Sequence, residues 1–336
     1  MFNKIYAKLK EKFKLYKKEI IFLTLFALVI NIRFPYYINA PGGTLSLADR
    51  IAITNGKAIN GSLNLVYVLE LEATIPTLLM ASLNKNWDIV KQEDVIPSHE
   101  SVEDVNLRGK LTLKESMSNA IVYAYQKSGK PITINEEKLY ITYIHESAKT
   151  DLKVGDHIVS IANSKIKTVA DITNILANYN IGDKVEVVVF EDDQEKNKYF
   201  EIIEIDNVKK VGITMAKIFD YTLEDEVEFK YSESEGGSSG GFMNTLYIYA
   251  SLVEEDLIKG KKIVGTGTIS EDGTIGEIGG IEYKIKAANK AKADLFFVPT
   301  GTNCEDAKKI KEEKGYGIAI ECVANFDEAI NYLEKN

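Results

Sequence analysis

The run Ser234–Asn244, "SEGGSSGGFMN", holds four glycines and three serines in eleven residues. Its composition alone suits a flexible linker. Its flanks suit something else. An alternating, strand-like "EVEFKY" (Glu226–Tyr231) precedes it, and "FMNTLYIYASLV" (Phe242–Val253), an apolar run long enough for a buried helix, follows. A linker joins domains, whereas this stretch sits between two pieces of one core. The second reading is therefore a tight strand-to-helix turn that presents a serine.

The 336 residues allow two or three domains. The net charge of −9 is unevenly spread: residues 1–18 carry seven lysines and one acid, Glu11, leaving 34 basic and 49 acidic residues beyond them. A body of that sign repels nucleic acid, and no basic stripe interleaved with aromatics offers an exception, so no nucleic-acid partner is expected. The lysines precede "IIFLTLFALVI" (Ile20–Ile30), which runs on through Arg33 to "FPYYI". A cleaved signal peptide suits the short apolar core, but no clean A-x-A site follows. An uncleaved single-pass anchor over 20–38, with Tyr36 and Tyr37 at the interface, is the expectation carried forward. The lysine excess then sets residues 1–19 as a basic cytoplasmic segment and everything after the anchor as extracytoplasmic, at the cell membrane.

Residues 39–137 mix strand-like runs ("SLNLVYVLEL") with helical ones ("ATIPTLLMASLN", "ESMSNAIVYAYQKSG") and hold no chemical motif. They read as a membrane-proximal α/β region. Over 138–205 the texture changes to "LYITYIH", "LKVGDHIVSIANSKI", the amphipathic "TVADITNILANY", then "KVEVVVFED" and "KYFEIIEI" as a hairpin. The order of elements and the string L-x-x-G-D-x-I resemble a bacterial PDZ domain, although "ESAKTD" stands where "GSPA" is usual. That resemblance implies a peptide groove in which an extended chain adds to a strand. The groove would lie between Tyr140, Ile141, Thr142 and Tyr143 and the helix through Ile172 and Leu176. A PDZ-shaped spacer without a ligand is the other reading.

From 206 to 336 strands and helices alternate again, giving an α/β (α+β) class for the whole. "IVGTGTISEDGTIGEIGG" (Ile263–Gly280) reads as a hairpin turning at Asp272–Gly273. A helix over Ile281–Ala293, the strand "DLFFVP", a helix over Asp306–Lys314 and the strand "GIAIECV" follow, and the last strand–helix–strand implies a parallel pair. Gly237–Gly241 formally satisfies G-x-S-x-G. The hydrolase triad needs a histidine after that serine, yet the three histidines, His99, His145 and His157, all precede it. A lysine can deprotonate a serine instead, if burial keeps its amine neutral. On a wheel of the 281–293 helix, Ile281, Ile285, Ala287, Ala288 and Ala291 form one arc that includes Lys284, while Lys286 and Lys290 point away. A lysine at the edge of that arc could equally snorkel to water.

"GGSSGGFM" is similar to the nucleophile segment "GGPSAGLM" of Lon-type serine–lysine proteases, and "GTGTISEDGTIGEIGGIEYKIKAA" resembles their hairpin, paired glycines and lysine-bearing helix, in the expected order. With "PYYINAPGG" the resemblance extends over nearly the whole chain to the membrane-anchored PDZ–Lon proteins of bacteria, the YlbL-like family. It implies a catalytic Ser239–Lys284 dyad, oxyanion donors on the loop Gly237, Ser238 and Gly240, and an orienting role for Thr266, which a plain strand threonine would also fit. Ser238 replaces the usual proline and Gly240 the usual alanine, and both loosen the loop. The resemblance implies no metal or other cofactor, protein or peptide substrates, and a homo-oligomer by analogy. No G-x-x-x-x-G-K-[ST] loop is present, so the implied activity is an ATP-independent endopeptidase. A non-catalytic PDZ scaffold with a degenerate protease domain is the alternative.

Cys304 and Cys322 are the two cysteines, and their spacing fits no metal pattern. In a right-handed strand–helix–strand unit both fall at the same sheet edge, close enough for a disulfide. Two unrelated buried thiols remain the other reading.

Overall fold

In the computed structural model, which describes residues 2–191 and 194–336, the N-terminal apolar run is helical only over Lys17–Ile30. Fourteen residues at the α-helical rise span about 21 Å, short of the roughly 30 Å of a bilayer's hydrocarbon. Among the described residues no helix is long and apolar enough to cross a membrane. The expected transmembrane helix over 20–38 is therefore corrected. The chain turns extended at Arg33, and Tyr36–Asn39 pair antiparallel with Lys91–Asp88. Pro35 and the bulky Phe34, Tyr36 and Tyr37 disfavour helix there, and "DIVK" supplies a strand partner that the N-terminal sequence does not advertise. Contacts gather residues 1–41 and 68–97 into one unit. Its small core holds Ile38, Ala73 and Ala81 with Leu71, Leu78 and Trp87.

The second unit comprises 42–67 and 98–336. Four parallel segments form its central layer: Ser62–Leu65 beside Lys262–Gly265, then Leu295–Pro299, then Ala319–Val323. Alternate residues of these strands enter two different cores. Leu63, Leu65, Ile263, Leu295 and Phe297 pack with Phe242, Met243 and Leu246 of the helix Gly241–Leu252. Val264, Phe296 and Val298 pack with Ile281, Ile285 and Ala288 of the helix Ile281–Lys290, and with Ala307. Strands buried on both faces explain apolar runs such as "LFFVP", every residue of which is buried. A 27-residue helix, Val102–Ser128, lies against the helix Gly241–Leu252. Its N-terminus carries a capping box, Ser101 with Asp104, and its C-terminus ends at Gly129 in the left-handed region. The segment expected as a hairpin over 263–280 is a strand only over Lys262–Gly265. Beyond it comes irregular chain that turns at Ser270–Thr274 and bridges Thr274 to Asn325.

An antiparallel sheet fills the middle of the sequence, in the order Ile213–Leu223, Ile132–Ile144, His157–Ile161, Lys184–Glu191, Gln194–Glu201. Asp192, the last residue of the expected "KVEVVVFED" strand, lies outside the described residues. The helix Val169–Leu176 covers one face, with Ile172 in a core that includes Ile141, Ile158, Val187 and Phe200. Asp156, the acid of the Gly-Asp pair, is buried and receives two bonds from Lys198 Nζ, at 2.7 and 2.9 Å. The ring of lysines 153, 196 and 198 around Glu191 holds that carboxyl down at about 2, Lys198 contributing most.

Val298 pairs with Cys322, and Cys304 opens the helix Thr302–Lys314 one loop further on. The two sulfurs are bonded, with a Cα separation of 5.8 Å. Closing the eighteen-residue separation restricts the unfolded chain by about 3 kcal/mol. The native protein should show no thiol to Ellman's reagent until it is reduced. Reduction should lower the stability measured by denaturant unfolding by about 2–3 kcal/mol. Two free thiols in the unreduced protein would overturn the assignment.

Candidate active site

The chain enters the glycine run from an anchored segment. Arg50 makes an ion pair with Glu235 at 2.7 Å and lies over the Tyr231 ring at 5.6 Å, while the Tyr231 hydroxyl donates to Asn244 Oδ1 at 3.0 Å. The loop then passes under the long helix, where the Gly237 N–H donates to the Gly109 carbonyl at 2.8 Å. Gly237 has φ +90°, a conformation that side chains rarely adopt. At Gly241 the demand is space: a Cβ there would meet Ser116 Oγ at 2.5 Å and Ile269 at 3.0 Å. Gly240 differs. Its φ is −93°, and a methyl would reach Leu65 at 3.4 Å, an ordinary contact.

The turn is held through its carbonyls. Ser238 O accepts from the Gly241 N–H at 3.0 Å and from the Ser116 hydroxyl at 3.1 Å. Ser239 O accepts from the Gly267 N–H at 2.9 Å and from the Thr266 hydroxyl at 3.1 Å. The Phe242 N–H donates to Gly267 O at 3.0 Å, so the loop is stitched to the chain leaving the central strand. Among the described residues no backbone acceptor takes the N–H of Ser239 or Gly240. Both stand at the N-terminal end of a twelve-residue helix, where free N–H groups and the helix dipole favour negative charge.

Lys284 is 3% exposed, on the face of its helix that packs into the core with Ile281, Ile285 and Ala288. Burial pulls its amine down from the ordinary 10.5 to about 8, with Glu282 opposing the shift. Its Nζ donates to Thr266 Oγ1 at 3.2 Å. Thr266, fully buried, thus joins Lys284 to the Ser239 carbonyl. Among the described residues no hydrogen bond links the Ser239 hydroxyl itself to Lys284. The helix start is fixed by Gly280 at φ +70° and by Asn303, whose amide accepts from the Ile278 N–H at 2.7 Å and donates to the Ile278 carbonyl at 3.0 Å. Ser116, Gly109 and Asn303 are contributions that the sequence motifs do not mark. Gly109 and Ser116 lie more than a hundred residues before the loop they hold, and no local pattern links them to it.

The predicted peptide groove needs correcting. Ile141 and Thr142 are buried, and Ile141 shares one core with Ile172 and Leu176. Tyr140 stacks on His157, and Tyr143 meets His99 and Arg108. Both edges of this strand are already used. Tyr140, Ile141 and Tyr143 pair with Ala216, Met215 and Thr214 on one side, and Tyr140 pairs with His157 on the other. No peptide strand can be added at 140–143. Ile213–Leu223 is one of the sheet's two end strands, and its pairing with Ile132–Ile144 lay beyond local sequence signals. A cleft of about 420 Å³ lies between this sheet and the long helix, lined by Leu111, Lys114, Tyr140 and Phe219 among others, and includes neither Ser239 nor Lys284. Among the described residues no group of His, Cys, Asp or Glu side chains could hold a metal.

Comparison with known proteins adds two findings. The PDZ domain of an SdrC-like protein from Listeria monocytogenes is 18% identical, covering 25% of this chain and 92% of that one at a TM-score of 0.23. The second domain of the listeria protein Lin2157 is 16% identical, covering 26% and 88% at a TM-score of 0.20. Among curated proteins none matches. Residues 232–335 match the model of the Lon protease (S16) C-terminal proteolytic domain. That segment carries Ser239, Thr266 and Lys284, and its similarity to a Lon proteolytic domain supports a serine peptidase.

Proposed function

We propose that the chain is a serine endopeptidase in which Lys284 deprotonates Ser239, acting without ATP on protein substrates outside the cytoplasm. The observation that carries this reading is the burial of Lys284 against Thr266, whose hydroxyl also holds the Ser239 carbonyl. A neutral amine in that place takes the proton of the Ser239 hydroxyl as its oxygen attacks a peptide carbonyl. The N–H groups of Ser239 and Gly240 receive the developing oxyanion. The lysine ammonium then gives its proton to the leaving amine, and a water repeats the sequence to release the acyl group. The Cys304–Cys322 disulfide supports an oxidising compartment. We assign peptide docking to the edge strand at Ile213–Ala216, where Ile213 and Met215 pack against the core that holds Ile172. A non-catalytic PDZ scaffold is the second reading, favoured by the absence of a bond between the Ser239 hydroxyl and Lys284.

Cleavage of an unstructured protein by the full chain, against a Ser239→Ala control, separates the two. Ser239→Ala should lose about 10³-fold or more of kcat. Equal rates in both proteins would establish the scaffold.

Because the base must be neutral, kcat/KM should fall about tenfold per pH unit below about 8 and level off above it. A profile flat from pH 6 to 9 would remove Lys284 as the base.

Stability should show the same group. The unfolded chain keeps the Lys284 proton up to the ordinary 10.5, the folded one only to about 8, so folding is opposed below about 8 and the opposition fades as pH rises through that interval. Lys284→Met should therefore abolish cleavage while raising stability at pH 7 by about 1–3 kcal/mol in denaturant unfolding. Gly240→Ala, by contrast, should change stability by less than about 0.5 kcal/mol and keep activity, since backbone and space both admit it.

A further inference from the structure

One turn of the long helix is bonded to two different parts of the molecule. Positions three apart share a helix face, and the turn at 115–119 carries two such pairs about 100° apart. On one face Glu115 Oε1 accepts the N–H of Lys217 at 2.7 Å, and Ser118 Oγ accepts the N–H of Phe219 at 2.8 Å. These are outward N–H groups of the sheet's edge strand, Ile213–Leu223. On the other face Ser116 Oγ donates to the Ser238 carbonyl at 3.1 Å, and Asn119 Nδ2 donates to the Ile269 carbonyl at 3.3 Å. Both seryl side chains are buried, so a shift that broke either bond would strand a polar group out of water. Lys217, on the edge strand, also pairs with Glu271, two residues beyond Ile269.

We propose that Ser116 is a positioning residue for the nucleophile loop, and that this helical turn transmits the state of the edge strand to Ser239. Ser116 fixes where the Ser238 carbonyl points, and with it the direction of the next two N–H groups. A Cβ at Gly241 would meet Ser116 Oγ at 2.5 Å, so the loop and the helix are closely packed at this point. A strand that shifts at Lys217 or Phe219 pulls on Glu115 and Ser118, and the rigid turn carries the displacement to Ser116. A peptide added at Ile213–Ala216 lies immediately upstream of those two anchor points. The sheet would then set turnover at a loop it does not touch. The catalytic meaning of this coupling rests on the peptidase reading, while the coupling itself does not.

The test uses the full chain as wild type, Ser116→Ala, Ser118→Ala and the double variant. Amide hydrogen exchange is read over residues 237–241, with strand 319–323 as an internal measure of folding, and kcat and KM are measured on an unstructured protein. Ser116→Ala should speed loop exchange about fivefold and lower kcat with little change in KM. Ser118→Ala, whose hydroxyl bonds to the edge strand rather than the loop, should also speed loop exchange. The double variant should show less than the product of the two effects. Wild-type loop exchange in Ser118→Ala, or strictly multiplicative effects, would overturn the coupling, and unchanged kcat and loop exchange in Ser116→Ala would overturn the positioning role. A wild type that cleaves nothing would defeat the peptidase reading, and the exchange data would still decide the coupling.

Discussion

Keeping the Lys284 amine out of water opposes folding, and much of the C-terminal body is arranged so that the amine stays dry nonetheless. The parallel strands must be covered on both faces, because the helix carrying Lys284 covers one and the helix following Ser239 covers the other. Thr266 stands at the point where the central strand ends and joins the two sides through a single hydroxyl. Each of these features has an independent structural reason. Their coincidence at one lysine is what makes the arrangement suited to proton transfer.

The site was legible in the sequence to the extent that its chemistry is local. The glycine run, the strand-to-helix change and the apolar arc holding Lys284 are all short-range patterns, and the absence of any histidine after Ser239 directed attention to a buried lysine. What could not be read were partners set by tertiary pairing. Ser116 and Gly109 lie well over a hundred residues before the loop they hold, and nothing in "ESMSNAIVYAYQKSG" separates its loop-facing hydroxyl from its strand-facing one. The peptide groove failed for the same reason: Tyr140–Tyr143 look like an edge until Ile213–Leu223 covers them. At the N-terminus, hydropathy extended a helix through residues that a distant "DIVK" draws into a strand.

The long helix changes how the middle of the chain is understood. Its sequence carries no catalytic signature, yet it lies against the helix that follows Ser239, bonds to the Ser238 carbonyl and covers part of the edge of the antiparallel sheet. An exposed sheet edge invites unwanted pairing, and covering it with side-chain acceptors is one way to prevent that. Here the cover stops short of Ile213–Ala216, so the edge is guarded along part of its length and open along the rest.

The parallel layer also constrains the order of assembly. Ser62 finds its parallel neighbour in Lys262, two hundred residues later, so this parallel pair waits for most of the chain to emerge. The antiparallel sheet that intervenes draws its strands from 132–223 and can form during that wait, whereas Cys304 and Cys322 meet only at the end.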